Sequence, residues 1–236
     1  MQTKQNENPA NEQGFFNLMS LAITALVALP VGIACLVLGF GLGDNPCVMC
    51  WAERITMIAI SLIALFIIRY GLKPGYLAAL LLMACWGIFN GFIHYSLDGT
   101  FGGYLDIKQG FGLEILGAHT QFWVMVVDFC VIIFLALIFL FSKNLGLIMQ
   151  KSSNGEYGNF LSYLPLGKFA NLVFIVIILA NCVQAFIASG PPPYLGSSTP
   201  PRMSIDPSKW FWEKDHWDSS LDFRFDWNPE LPDLAK

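Results

Sequence analysis

The 236-residue chain is 55% hydrophobic and only 13% charged, with a mean hydropathy of +0.56, which is too apolar for an ordinary soluble domain. A net charge of -4 with no basic cluster gives nucleic acid no footing as a partner. Six cysteines, most of them inside apolar stretches, exclude a disulfide-stapled secreted scaffold.

Crossing about 30 Å of hydrocarbon takes roughly 20 apolar residues. Five segments meet that requirement, at residues 15–42, 51–70, 74–97, 121–142 and 168–189. The first is longer than a signal-peptide core and ends in Gly41-Leu42-Gly43-Asp44 without a cleavage pattern, so it reads as a retained helix, with a kink predicted at Pro30. Lysine and arginine then set the orientation. Lys4, Arg69, Lys73, Lys143, Lys151 and Lys168 fall on one side, and only Arg54 and Lys108 on the other. The positive-inside rule places the N-terminus in the cytoplasm and the start of the second helix outside, which in a bacterium is the oxidising periplasm.

Between the first two helices lies Asn45-Pro46-Cys47-Val48-Met49-Cys50-Trp51-Ala52-Glu53-Arg54. Asn45 is a plausible N-cap and Pro46 suits the first helical position, which puts Cys47 in the first turn and Cys50 one turn later. Unpaired amides and the positive end of the helix dipole favour a thiolate there. Positions 47, 50 and 54 share a helical face, so Arg54 can place a fixed charge beneath the sulfurs. The set suits transfer of two electrons from a thiolate to an oxygen-bearing acceptor in the membrane. Glu53 is ambiguous, since a charge beside Arg54 can simply face the headgroups.

The stretch CVMCWAER, opening a second spanning helix, resembles the C-x-x-C-x-x-x-R signature of the DsbB family of disulfide-generating membrane proteins. The resemblance covers residues 14–142. It implies an all-α integral membrane fold: a DsbB-type four-helix bundle at 15–142 after a cytoplasmic tail at 1–14. To this the sequence adds a cytoplasmic loop at 143–167, a fifth transmembrane helix at 168–189 and a periplasmic C-terminal tail at 190–236. By resemblance, Cys47 exchanges with incoming thiols and Cys50 faces the quinone. Arg54 helps bind that quinone, ubiquinone or menaquinone, and stabilises the charge that forms there. The implied partner is a periplasmic thioredoxin-fold protein of the DsbA kind, and the implied location is the bacterial inner membrane.

The family usually carries a second cysteine pair in its second periplasmic loop, and residues 98–120 contain none. A substrate thiol must then reach Cys47 directly, or a dedicated thiol protein must supply the missing pair. Cys35, Cys85, Cys130 and Cys182 read as small buried apolar residues. Residues 111–118 look like the family's short horizontal helix. His94 and His119 flank this loop as interfacial histidines, and His94 is retained as a candidate for proton transfer. Asp128, an acid inside the fourth helix, is either a proton acceptor, an ion-pair partner for Arg54, or a residue near the interface if that helix starts late.

Residues 190–208 form a Pro-rich linker, followed by an aromatic tail with Trp210, Phe211, Trp212, Trp217, Phe223, Phe225 and Trp227. That tail suits docking of a partner protein or the membrane interface. The leading reading is a quinone-linked protein-thiol oxidase with no assigned metal ligand. Two alternatives stand beside it: a non-catalytic assembly factor or accessory subunit of a membrane complex, and a metal-binding protein using Cys47, Cys50, His94 and His119, whose histidine spacing is not that of a compact zinc module.

Overall fold

A computed structural model describes residues 9–43, 46–97, 114–142, 144–154 and 165–190, together with Ile205. Expectations for the C-terminal linker and aromatic tail, and for residues 98–113, lie outside the described residues. The chain runs through α1 (Pro9–Gly32), a π-helical continuation (Ile33–Gly41), α2 (Val48–Tyr70) and α3 (Pro74–Leu97). A short hairpin of β1 (Glu114–Ile115) and β2 (Ala118–His119) precedes α4 (Thr120–Phe141), α5 (Leu145–Ser153) and α6 (Pro165–Ser189). Five helical stretches are long and apolar enough to cross a membrane: Ser20–Gly41, Met49–Tyr70, Pro74–Ser96, Thr120–Phe141 and Lys168–Ala188. They coincide with the five segments expected from hydropathy.

Each spanning helix pairs a mainly apolar inner face with an apolar outer face, as lipid demands. Inside, Val27 and Val31 of α1 meet Ile60, Ala64 and Ile67 of α2, Leu77, Leu80 and Ala84 of α3, and Val131 and Leu135 of α4. Outside, Leu82, Phe139 and Leu140 are exposed on the helix surfaces, where water would penalise them and hydrocarbon does not. Cys85 and Cys182 belong to this outer surface and Cys130 is half-buried, so of the four remaining cysteines only Cys35 is buried as expected. Their positions on α3, α4 and α6 follow the helix faces rather than the apolar character of the thiol.

The first helix changes register instead of merely bending. Three residues after Pro30, which lacks an amide hydrogen for the regular ladder, the backbone enters a π turn that lasts to Gly41. Its end is marked by the Leu42 amide donating to the Val37 carbonyl at 3.0 Å, five residues back. Such segments concentrate at functional sites because they re-aim carbonyls and side chains.

Two expectations about local structure are corrected. The second spanning helix begins at Val48, so Pro46 is not its first residue and Cys47 is itself the N-cap, with extended backbone at φ -70° and ψ 170°. A sulfur can take this place because its lone pair accepts the Cys50 amide, the role that oxygen usually plays. Residues 114–119 form a tight antiparallel hairpin rather than part of a horizontal helix. Leu116 and Gly117, at φ 53° and 78°, supply the two left-handed positions that a two-residue hairpin turn requires. In the segment read as a loop, α5 tucks Ile148 and Ser152 into the bundle, and a side chain at Gly71 (φ 80°) would collide with Ser152.

Along α3 the inner stripe Leu77, Leu80, Ala84, Gly87, Gly91 and His94 follows helical spacing, so α4 approaches closely at the two glycines. A methyl group at Gly87 would overlap the Asp128 carboxylate, and one at Gly91 would press on Met125. Gly87→Ala is therefore expected to lower stability by about 1–3 kcal/mol through overpacking, read as an earlier unfolding midpoint in detergent titration. Adding Asp128→Ala should return most of that loss, whereas simply additive effects would show that the two residues do not meet.

Candidate functional site

The start of α2 and the end of α3 bring four side chains into a row. Cys47 and Cys50 are thiols with their sulfurs 2.8 Å apart, and the Cys50 amide donates to Cys47 Sγ at 3.2 Å. His94 Nε2 lies 3.4 Å from Cys47 Sγ. On the far side of the imidazole, Nδ1 meets Glu53 Oε1 at 2.8 Å. Glu53 and His94 are 2% and 1% exposed, so this contact is sealed from water and Glu53 does not face the headgroups. Helical geometry explains the row: Cys47, Cys50 and Glu53 are successive i+3 positions and look toward α3.

The Cys47 thiol stands just before the apolar span that begins at Met49. Its pKa is pulled down to about 4, chiefly by the hydrogen bond with Cys50; burial opposes the shift, and the hydrogen bond and charge of His94 add to it. The sequence assigned the supporting charge to Arg54. The structure gives that place to His94, the group in contact with the sulfur, while Arg54 turns to another face of α2.

Arg54 is 7% exposed and is held by acceptors from two other helices. Nη1 donates to Gln184 Oε1 at 2.6 Å and more loosely to Asn181 Oδ1 at 3.4 Å, both on α6. Nη2 donates to the Ala34 carbonyl in the π turn at 3.2 Å. The guanidinium also lies over the Trp51 ring, 5.1 Å from its centroid. Gly39, in the same π segment, leaves the space that the Gln184 amide fills, since a methyl group there would overlap it. Two buried donors beside Arg54, Gln184 Nε2 and Trp51 Nε1, have no hydrogen-bond partner among the described residues.

Asp128 is fully buried, nine residues into α4, so it is not an interfacial residue. Neither of its carboxylate oxygens has a hydrogen-bond partner among the described residues, which removes the ion pair with Arg54 that was one of its alternatives. The reason is positional: Arg54 looks toward α1 and α6, and Asp128 packs on Gly87 of α3. His119, the last residue of β2, is not one of the clustered Cys and His ligands; those are Cys47, Cys50 and His94.

Sequence reasoning left Glu53 undecided and missed Asn181 and Gln184. A signal existed for the latter two, because amides three residues apart inside an apolar span are costly unless they bond across helices.

These features define a class: a multi-pass helical membrane protein with a buried-edge dithiol at the mouth of its bundle. The family model described as disulfide bond formation protein DsbB matches residues 16–185. The chain therefore belongs to the DsbB family, and the match extends past the expected four-helix core to take in most of α6. No match was found among curated proteins or among solved structures.

The thiolate assignment can be checked on reduced protein by following alkylation of Cys47 with iodoacetamide as a function of pH. An ordinary thiol, with a pKa of about 8.5, loses rate tenfold per unit below that value. For Cys47 the rate should stay nearly level from pH 8 to about pH 5 and fall only as pH approaches about 4. His94→Gln should move the fall to higher pH. A wild-type rate already dropping tenfold per unit below pH 8 would contradict the assignment.

Proposed function

We propose that the protein is a quinone-dependent protein-thiol oxidase that reoxidises a thioredoxin-fold or dedicated thiol protein outside the bacterial inner membrane. The observation that carries this reading is the Glu53–His94–Cys47–Cys50 row, with a buried Arg54 on the next face of α2.

In the oxidised state, a partner thiolate attacks Cys47 Sγ of the Cys47–Cys50 disulfide. A partner–Cys47 bond forms, the Cys47–Cys50 bond breaks and Cys50 leaves with the electron pair. The partner's second thiolate then attacks the partner sulfur of this mixed disulfide and expels Cys47. A stabilised thiolate is the better leaving group, so the low pKa of Cys47 favours release of the oxidised partner. His94, at hydrogen-bond range from Cys47 Sγ, holds or moves the proton at that atom, and Glu53 fixes the ring for the task.

The residues present fit a quinone. Its oxygens only accept hydrogen bonds, and the Arg54 region offers donors: the guanidinium, Gln184 Nε2 and Trp51 Nε1, the last two without partners among the described residues. A quinone held there would take the two electrons and two protons released when the dithiol closes to a disulfide. On this reading Arg54, Gln184 and Trp51 bind and orient, and α6 is part of the site. Asp128, whose oxygens have no hydrogen-bond partner among the described residues, packs on Gly87 away from Arg54 and is kept in this reading only as a candidate proton acceptor.

Anaerobic mixing of purified protein with a soluble quinone and a reduced thioredoxin-fold substrate tests the proposal. Wild type should reduce the quinone in proportion to substrate oxidised, Cys47→Ser and Cys50→Ser should abolish the coupled reaction, and Gln184→Leu should raise the KM for quinone roughly tenfold, as loss of one hydrogen bond to a charged network implies. Quinone reduction unchanged in both cysteine variants would remove it.

A further inference from the structure

The same thiols carry a second chemistry that needs no quinone. Cys47 Sγ, Cys50 Sγ and His94 Nε2 all lie within 4.8 Å of one another. Two thiolates and an imidazole are zinc-type ligands. Bonds of about 2.3 Å to sulfur and 2.0 Å to nitrogen place tetrahedral ligands roughly 3.5–3.8 Å apart. Cys47 is already 3.4 Å from His94, and the 2.8 Å sulfur pair needs to open by about one ångström.

The surroundings favour the metal-ready form of each ligand. Glu53, 2.8 Å from His94 Nδ1, anchors the far nitrogen of the ring, so that Nε2, on losing its proton, presents its lone pair toward the sulfurs. The Cys50 amide, donating to Cys47 Sγ at 3.2 Å, supports negative charge on that sulfur. A divalent cation with two thiolates is neutral as a unit, which limits the cost of holding it at the edge of an apolar bundle. Three protein ligands also leave one coordination position open.

We infer that the reduced protein binds one zinc-like divalent cation through Cys47, Cys50 and His94, and that this binding reversibly silences the dithiol. With Cys47 already a thiolate, the cation displaces one proton from Cys50 Sγ and one from His94 Nε2, and both pass to solvent at the mouth of the bundle. No electrons move. A Cys47–Cys50 disulfide has no thiolate to offer, so metal binding and disulfide formation exclude one another. Of the four ligands the sequence offered, Cys47, Cys50 and His94 cluster here, and on this inference they hold the cation only in the reduced site.

The test uses full-length protein in detergent, either reduced or oxidised with diamide, with Zn²⁺ and Co²⁺ as probes. After desalting, the reduced wild type should retain one Zn²⁺ per chain, and Co²⁺ should give a thiolate-to-metal charge-transfer band. The disulfide form should retain none and show no band. Cys50→Ser should lose the band, and Glu53→Gln should weaken binding by roughly 10–100-fold. Reduced wild type that emerges without metal, or a disulfide form that holds as much as the reduced one, overturns the inference. Both outcomes are read without mutation and without quinone, so they are separable from the fate of the oxidase reaction.

Discussion

The buried contact between Glu53 of α2 and His94 of α3 is the interaction on which the chemical end of this bundle depends. A carboxylate taken out of water is tolerated when a partner meets it, and removing one member of such a pair costs about 3–5 kcal/mol because the other is left uncompensated. The pair therefore pins the mouth of α2 to the mouth of α3. It also determines which imidazole nitrogen faces Cys47, and so converts a structural contact into a chemical one. Cys47 can serve as an N-cap because its own backbone is extended, at φ -70° and ψ 170°, and its sulfur lies 3.4 Å from His94 Nε2.

A second polar contact divides labour with the first. Glu53 and Arg54 are neighbours in sequence, yet a helix sends them to different faces, toward α3 and toward α1 with α6. The guanidinium is received by a carbonyl of the π turn and by two amides of α6, and the glycine opposite Gln184 keeps room for them. These parts depend on each other. A regular helix at Ile33–Gly41 would aim its carbonyls elsewhere, and a four-helix chain would lack Asn181 and Gln184. The fifth helix is thereby tied to the dithiol end of the protein.

Much of this arrangement was legible from the residues. Five apolar runs of sufficient length specify five spanning helices, because few other structures satisfy backbone groups in lipid. The spacing of Cys47 and Cys50 announced a dithiol at the start of the second spanning helix, but Arg54, expected beneath the sulfurs, turns to another face and His94 stands beside Cys47 instead. The partners were harder to read. His94 lies 41 residues from Glu53, and Gln184 lies 130 from Arg54. No local pattern encodes which face of one helix meets which face of another. The N-cap was misplaced by two residues, at Asn45 instead of Cys47, because proline at a helix start is a strong signal and a sulfur acceptor is a weak one. The hairpin at 114–119 was misread because its apolar residues suit an interfacial helix equally well. Its deciding feature, a leucine in the left-handed region before a glycine, is unusual for a non-glycine residue.

The proposal stands or falls on whether Cys47, held beside the Glu53–His94 pair, is the sulfur that exchanges with partner thiols. Trapping the mixed disulfide tests this most directly. The Cys50→Ser and Cys47→Ser proteins would each be incubated with a thioredoxin-fold substrate activated as a mixed disulfide, and the adducts mapped by mass spectrometry of tryptic peptides. The account predicts a stable adduct on Cys47 in Cys50→Ser, formed much more slowly when Glu53→Gln is added, and little adduct on Cys50 in Cys47→Ser. Equal trapping at both sulfurs, or a rate indifferent to Glu53, would contradict it.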